Sequence, residues 1–123
     1  MNSLSIKKVI TIAEAKLTAQ ELALQEFQAD IGHLNALSNQ NRQHLLMILG
    51  TSTHSGGLRV NDLAKEIGLS QPATSHHLKA LKDIGMVDSK QEGNVVYYYL
   101  TLDDTIHRLE RLTTALKRQQ AQK

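Results

Sequence analysis

Residues 62–87 read DLAKEIGLSQPATSHHLKALKDIGMV. They contain two helical patterns, the first opened by Asn61 or Asp62, separated by the turn Gly68–Leu69–Ser70. Ser70 suits the N-cap of the second helix, and the only proline, Pro72, falls in its first turn, where proline costs no hydrogen bond. Two helices joined by such a short glycine-containing turn form a helix-turn-helix, whose second helix enters the DNA major groove.

The second helix of this motif has an apolar and a polar face. At about 100° per residue, Leu78 and Leu81 cluster on one side together with Thr74. The other side carries Ser75, His76 and Lys79. This division predicts one face packed in a core and one face directed outward.

The polar face has the chemistry of a DNA-reading helix. Gln71 lies at the N-terminal tip, the part of a recognition helix that reaches base edges. Glutamine and serine bond to base edges, whereas Lys79 and Lys82 can contact phosphates. Residues 70–82 contain no acidic residue, and this absence of negative charge is what a groove-facing helix requires.

After Met86 the apolar spacing changes from the helical period to a period of two. One face of the predicted strands carries Val87, Val96, Tyr98 and Leu100, and the other carries Tyr97 and Tyr99. Glu92–Gly93 is the predicted turn. A hairpin directly after a helix-turn-helix makes a winged helix, so the predicted fold is mainly α with a small β-hairpin.

A further helix is predicted before this motif, from Gln40 to Leu49. Asn39 is its expected N-cap, and Gly50 its expected end. His44 and Met47 lie on this otherwise apolar helix, and we expect both in the core.

Long helices are predicted at both ends of the chain. The first has apolar residues at three- and four-residue steps, the a/d spacing of a coiled coil, and we expect Gly32 and a short Leu34–Leu37 piece to interrupt it. The last begins at Asp103. These helices could pack across their own core, but the regular spacing favours a dimer interface formed by Ile6, Ile10, Leu17, Leu24, Phe27, Leu102, Ile106, Leu109 and Leu116.

Length and composition are compatible with one domain. The 123 residues divide into an N-terminal dimerisation helix (1–33), a winged helix-turn-helix core (34–100) and a C-terminal dimerisation helix and tail (101–123). The net charge of +2 is too small to indicate nucleic-acid binding by itself. Neither a membrane span nor a signal peptide is recognised, and a cytoplasmic location is expected.

Three segments resemble the ArsR/SmtB family of winged-helix repressors. They are LNALSNQNRQHLLMIL at 34–49, DLAKEIGLSQPATSHHLKALKDIGMV at 62–87 and EGNVVYYYL at 92–100, and the likeness extends over about residues 34–116. The resemblance implies a homodimer on a palindromic double-stranded DNA operator, with the first and last helices at the dimer interface. It also implies that residues 90–94 form the wing. The resulting DNA-contact set is Ser70, Gln71, Thr74, Ser75, His76, Lys79, Lys82, Lys90 and Asn94.

The chain departs from the metal-sensing members of that family. Arg59 and Asn61 occupy the cysteine positions of the arsenic-type motif, and the chain has no cysteine. Asp104 and His107 begin the zinc-type pattern on the last helix, but no second histidine follows. We therefore predict no metal and no cofactor. A site built from His33 and His107 across a dimer, or including His44, remains the alternative.

The wing and the loop at 51–57 carry the remaining functional hypotheses. Lys90 is the only cation of the wing, and Glu92 lies close to it in the sequence. Because the wing carries so little positive charge, a module that binds only another protein remains the alternative function. Thr53, His54 and Ser55 adjoin glycines but form no recognisable nucleophile–base pair, so no catalytic residue and no enzyme are predicted. The sequence does not identify an inducer, and a repressor is favoured over an activator.

Overall fold

The computed structural model describes the backbone of residues 3–51 and 56–121, and the side chains of 20–51 and 56–121. The side chains of Ile6, Ile10 and Leu17, and the loop residues 52–55, therefore lie outside the described residues. The elements in chain order are α1 (Ser3–Leu37), α2 (Gln40–Thr51), β1 (Leu58–Arg59), α3 (Val60–Ile67), α4 (Gln71–Asp83), β2 (Val87–Glu92), β3 (Val95–Leu100) and α5 (Asp103–Ala121). The predicted fold class, a mainly helical winged helix-turn-helix, is confirmed.

The chain divides into two compact units. One comprises residues 31–107 and contains the helix-turn-helix and the sheet. The other comprises residues 1–30 and 108–123, which are most of α1 and most of α5. In the described part of the chain, no helix is long and apolar enough to cross a membrane.

The core of the 31–107 unit is aliphatic. α2, α3 and α4 each contribute leucines, and residues beside the sheet complete the cluster. The fully buried members are Leu45, Leu63, Leu78, Leu81, Met86 and Val87. Each buried side chain of this size contributes about 1.5–3 kcal/mol relative to exposure, so this cluster holds α4 with its opposite face outward.

Local signals set the corner between α3 and α4. Gly68 has φ +78 and its N–H donates to the carbonyl of Ala64, which ends α3 in the left-handed conformation. The Ser70 hydroxyl then accepts a hydrogen bond from the N–H of Ala73, at 3.2 Å, and caps α4. The predicted cap and the predicted position of Pro72 in the first turn are confirmed.

The sheet has three antiparallel strands in the order β1-β3-β2. Val87 pairs with Leu100 and Glu92 with Val95, so the connecting turn is Gly93–Asn94 rather than the predicted Glu92–Gly93. The short strand β1 pairs with Tyr97 and Tyr98 and was not predicted. Two residues are too few to show any periodicity.

Three predicted helix boundaries are wrong. α1 continues through Gly32 to Leu37, α2 continues through Gly50 to Thr51, and α3 begins at Val60, ahead of Asn61. At both glycines the space is limited: a Cβ on Gly32 would lie 3.4 Å from Ile84, and one on Gly50 3.3 Å from Leu100. A glycine inside a helix costs about 1 kcal/mol relative to alanine, which is too little to end either helix here.

The corner between α1 and α2 is held by side chains of α2. The Arg42 guanidinium donates to the carbonyls of Asn35 and Ala36, at 3.0 and 3.1 Å, and Gln43 donates to the carbonyl of Leu37. These bonds satisfy carbonyls that the end of a helix leaves without partners. Asn39 accepts from the N–H of Arg42, as its predicted capping role requires.

The two polar or flexible residues predicted in the core of α2 are exposed. Met47 retains 64% of its accessible surface, and His44 is also exposed. The helix directs Leu45, Leu46 and Leu49 inward instead. The prediction was wrong because the consecutive apolar residues 45–49 point to all sides of α2, so the sequence pattern does not indicate which side is buried.

Candidate nucleic-acid interface

The outer face of α4 is polar, and its one acidic residue is Asp83 in the last turn. Gln71, Ser75, His76, Lys79 and Lys82 are all exposed. The inner face, formed by Thr74, Leu78 and Leu81, is fully buried. The described side chains thus place five of the six predicted α4 contacts together on one open surface, and Ser70 lies exposed just before the helix.

The prediction that Thr74 contacts DNA is wrong. Its side chain has no exposed surface, and its Oγ1 donates a 2.8 Å hydrogen bond to the carbonyl of Ser70. A small hydroxyl can be buried without penalty when it bonds to the carbonyl four residues earlier. Thr74 therefore supports the start of α4 and is withdrawn from the contact set.

The two lysines of α4 have different surroundings. The Nζ of Lys82 donates to the Oγ of Ser89 on β2, at 2.7 Å, and so links the end of α4 to the wing. Among the described residues, Lys79 makes no hydrogen bond or ion pair, so its ammonium group is available to a phosphate. The link between Lys82 and Ser89 could not be predicted, because the hairpin geometry determines it.

The wing carries little free charge. Lys90 forms an ion pair with Glu92, with 3.3 Å between Nζ and Oε1. Gln91 donates to the carbonyl of Gly93, while Asn94 is exposed at the turn. The tip of the wing therefore exposes the amide of Asn94, and the charge of Lys90 is largely compensated by Glu92.

Histidines beside the recognition face differ in environment. His76 is exposed, and its ring lies edge-on to that of His77, with centroids 6.0 Å apart. Burial lowers the pKa of His77, and the positive charges of Arg42 and His76 lower it further. Its Nδ1 is buried and has no hydrogen-bond partner among the described residues. His77 is therefore neutral at pH 7.

An ion pair lies directly before α3. The Nε of Arg59 donates to Oδ2 of Asp62, at 3.0 Å. This hydrogen bond, together with the charge of Asp62, raises the pKa of the Arg59 guanidinium. Asp62 also interacts favourably with the positive end of the α3 dipole.

No metal site is formed by the described residues of one chain, since they contain no group of three His, Cys, Asp or Glu side chains suited to hold an ion. Nδ1 of His33 is 2.9 Å from Oγ1 of Thr105 and the pair is buried. His107 and His44 are exposed. The alternative of a histidine site shared by two chains would need His33 to use its other ring nitrogen.

The residues predicted at a dimer interface do not share one environment. Leu24 and Phe27 on α1, and Ile106 and Leu116 on α5, are exposed despite being apolar, while Leu109 is half-buried. Leu102 precedes α5 and packs against the core of the 31–107 unit. We therefore remove Leu102 from the predicted interface.

Comparison with known proteins gives the family. The sequence profile described as "Bacterial regulatory protein, arsR family" matches residues 39–89. The chain is 36% identical over 97 residues to the cadmium resistance transcriptional regulatory protein CadC of Listeria innocua, covering 77% of this chain and 79% of that protein. The chain belongs to the ArsR family. The predicted resemblance is thereby confirmed.

Two further known proteins are similar to this chain. The HTH-type transcriptional regulator NmtR of Mycobacterium tuberculosis is 38% identical over 90 residues, covering 68% of this chain and 72% of that protein. The crystal structure of NolR from Sinorhizobium fredii superposes with a TM-score of 0.57 at 29% identity, covering 73% of this chain and 86% of that one. This ArsR-family chain is a DNA-binding transcriptional regulator, and its relatives carry the names of regulators rather than enzymes.

Proposed function

We propose that this regulator is a homodimeric repressor that binds a palindromic operator through α4 and the wing. The observation that carries the proposal is the outer face of α4, where Gln71, Ser75 and Lys79 are exposed together and the one acidic residue of the helix, Asp83, lies at the opposite end from Gln71. Glutamine and serine can bond to base edges, and lysine can neutralise a phosphate. A cytoplasmic location follows from the proposal, because the operator is there.

Dimerisation is supported by apolar side chains left exposed on both long helices. Leu24 is 61% exposed on α1, and Ile106 is 50% exposed on α5. A single recognition helix makes few base contacts, so specific binding normally requires two half-sites about 34 Å apart. We therefore assign α1 and α5 to the contact that holds two copies at this spacing.

The predicted alternative was a module that binds only protein, and membership of a family of DNA-binding regulators argues against it. The Lys90–Glu92 ion pair is the feature in its favour. That pair compensates the one cation of the wing, and charge contacts with phosphates supply most non-specific DNA affinity. We rank this candidate lower because α4 retains an uncompensated lysine.

The decisive experiment is binding to the DNA upstream of the protein's own gene, measured at several salt concentrations with competitor DNA. We expect a competitor-resistant complex. Lys79→Ala should weaken binding to every sequence and reduce the salt slope by about 0.9, whereas Gln71→Ala should relax preference at one base position by about 1–3 kcal/mol.

Lys117→Ala on α5 is the matched control, since it removes the same charge from outside the recognition helix and the wing. Two results would contradict the proposal: the absence of any specific complex, or the same loss for Lys117→Ala as for Lys79→Ala. Sedimentation of a Leu24→Glu variant tests the dimer, and a monomeric variant that keeps full operator affinity would contradict the dimer assignment.

A further inference from the structure

The last turn of α4 is joined to the wing by a side-chain hydrogen bond. The Nζ of Lys82 donates to the Oγ of Ser89 at 2.7 Å, within the unit of residues 31–107. Ser89 lies two positions after the buried Val87 on β2, so both side chains point to the same face of the sheet, the one that meets α4. The bond therefore connects the recognition helix with the strand that leads to the tip of the wing.

This bond lies where the hairpin leaves the body of the protein. Val87 is buried, and the Thr101 hydroxyl donates to the carbonyl of Gly85 at 2.8 Å, so the base of the hairpin is fixed. Beyond Ser89, every residue from 90 to 94 is exposed. The side-chain contacts of that segment, an ion pair and an amide bond to a carbonyl, are made within the wing. In the described part of the chain, Ser89 is thus the residue nearest the tip that bonds to α4.

The outer part of the wing is a two-stranded ribbon. β1 pairs with β3 at Tyr97 and Tyr98, so the two rows of β2–β3 pairs nearest the turn have no third strand. A two-stranded hairpin is marginally stable at best by itself in water. The direction of this ribbon relative to α4 therefore depends on the contacts at its base, of which the bond at Ser89 is the outermost.

The charges around the bond do not favour a phosphate. Asp83 directly follows Lys82 on the helix and is exposed. Asp88 is also exposed, and its Oδ1 accepts a hydrogen bond from the N–H of Ser89 at 2.7 Å, which holds this carboxylate beside the bond. One ammonium group is thus accompanied by two carboxylates, and both repel a phosphate.

Binding through two separate elements is tighter when the distance between them is already fixed. Ordering a mobile segment when a complex forms costs free energy, and preorganisation of that segment removes the cost. The Gln71 end of α4 and the Asn94 turn of the wing are the two parts proposed to reach the operator. A hydrogen bond that ties the wing to α4 before DNA binds therefore raises affinity without any contact to DNA.

We propose that Lys82 is a positioning residue, which through Ser89 sets the direction of the wing relative to α4 instead of contacting a phosphate. The inference rests on the proposed function, in which α4 and the wing both meet the operator. It gives Ser89, which is absent from the predicted contact set, a role in operator binding that is exerted through the tip of the wing.

Magnetic-resonance relaxation of the protein without DNA tests the positioning directly. Ser89→Ala removes the acceptor of the bond, and Lys82→Met removes its donor. In both variants the backbone order parameters of residues 91–95 should fall from about 0.85, typical of rigid backbone, towards about 0.6. Ser89→Thr keeps the hydroxyl and should keep the native order parameters. Ser38→Ala is the matched control, because it removes an exposed serine hydroxyl whose bond, to the carbonyl of Asn35, lies outside α4 and the wing.

Operator binding distinguishes positioning from a phosphate contact. A hydrogen bond of ordinary net strength corresponds to about threefold to tenfold in affinity, and we expect Ser89→Ala and Lys82→Met to lose affinity by the same factor. The double variant should lose no more than either single variant, because both remove one interaction. Lys82→Met should change the salt slope by less than the roughly 0.9 of a lost phosphate contact. Melting temperatures should shift by at most about 3 °C, since the bond is exposed.

Three results would overturn the proposal. One is native order parameters of the wing in both Ser89→Ala and Lys82→Met. The second is native operator affinity of Ser89→Ala together with a loss of about 0.9 in salt slope for Lys82→Met, which is the pattern of a phosphate contact. The third is additive losses of affinity for the two substitutions. If the native protein formed no specific complex, the proposed function would fail, whereas the relaxation measurement, made without DNA, would still decide whether the bond positions the wing.

Discussion

His33 and Thr105 share a buried hydrogen bond, in which Nδ1 of the imidazole lies 2.9 Å from Oγ1 of the hydroxyl. The two residues are 72 positions apart in the chain. The bond joins the last turns of α1 to the first turn of α5 inside the 31–107 unit. Both side chains are more than nine-tenths buried. Neither group has an equivalent partner if the other is removed.

Thr105→Val should therefore destabilise the protein. Valine keeps the shape of threonine but leaves a buried ring nitrogen of His33 without a partner, which costs about 1–3 kcal/mol in the free energy of unfolding. Urea denaturation measures this loss. Thr113→Val is the control, because the exposed Thr113 hydroxyl bonds only within α5, and we expect a change of at most about 0.5 kcal/mol. Equal losses in the free energy of unfolding for Thr105→Val and Thr113→Val would show that the buried bond contributes no more than an exposed one.

Substitutions of Ser70 should separate helix capping from DNA binding. Ser70→Ala removes the bond to the N–H of Ala73 and should cost about 1 kcal/mol of stability. Ser70→Asp keeps a capping oxygen and interacts favourably with the helix dipole, so its stability should stay close to that of the native protein. Its operator affinity should nevertheless fall, because the new charge repels phosphates. Unchanged operator affinity of Ser70→Asp would place the start of α4 away from the DNA.

The ion pair of the wing should limit the contribution of Lys90 to DNA binding. Lys90→Ala should change the salt slope of operator binding by less than the roughly 0.9 expected for a full phosphate contact. Glu92→Gln frees the ammonium of Lys90 and should raise affinity and steepen the slope. If Glu92→Gln weakened binding instead, the carboxylate would have a direct role at the operator.

Alanine at two glycines with positive φ should have unequal effects. Gly57 has φ +91, and a Cβ there would lie 2.3 Å from the carbonyl oxygen of Tyr98. At Gly68, with φ +78, nothing lies within 4 Å of such a Cβ. Gly68→Ala should cost about 1–2 kcal/mol from conformation alone, and Gly57→Ala should cost clearly more, because backbone must move. Thermal unfolding of the two variants tests the order, and a reversed order would contradict the close approach of β1 to β3.

The lowered pKa of His77 should make stability depend on pH. The unfolded state, with a histidine pKa of about 6.5, binds a proton more readily than the folded state. The contribution of His77 is therefore fully present above about pH 6.5 and is lost as the pH falls towards and through the lower folded pKa. His77→Gln should lose less stability than the native protein between pH 7 and pH 5 in urea titrations. Identical stability curves for the native protein and His77→Gln would contradict the buried environment of His77.

Features governed by neighbours in the chain were predictable. The Gly68 turn and the Ser70 cap depend on interactions within one helical turn, and both are confirmed. The hairpin was also predicted and is confirmed, with β3 a run of β-branched and aromatic residues that follows a glycine-containing turn. The polar face of α4 followed from the same reasoning, since Leu78 and Leu81 determine which side is buried.

Features that depend on packing could not be predicted. Met47 and Leu46 lie in a run of five consecutive apolar residues, 45–49, and only the arrangement of the neighbouring helices decides which of them is buried. Thr74 is small enough to be accepted in the core once its hydroxyl has bonded to a backbone carbonyl. β1 is defined by its pairing with the edge of β3 that β2 leaves free, a contact between residues about 40 positions apart.

Local patterns along the chain were enough to predict the order of the helices and the hairpin, the cap of α4 and its polar outer face, because these follow from periodicity and from contacts a few residues apart. Which polar atoms are enclosed together depends instead on how the helices pack. The His33–Thr105 bond and the contact of Glu26 with Arg111 join residues 72 and 85 positions apart. No local pattern records such pairs, since each forms only when packing of apolar surface brings distant helices side by side and excludes water from between them.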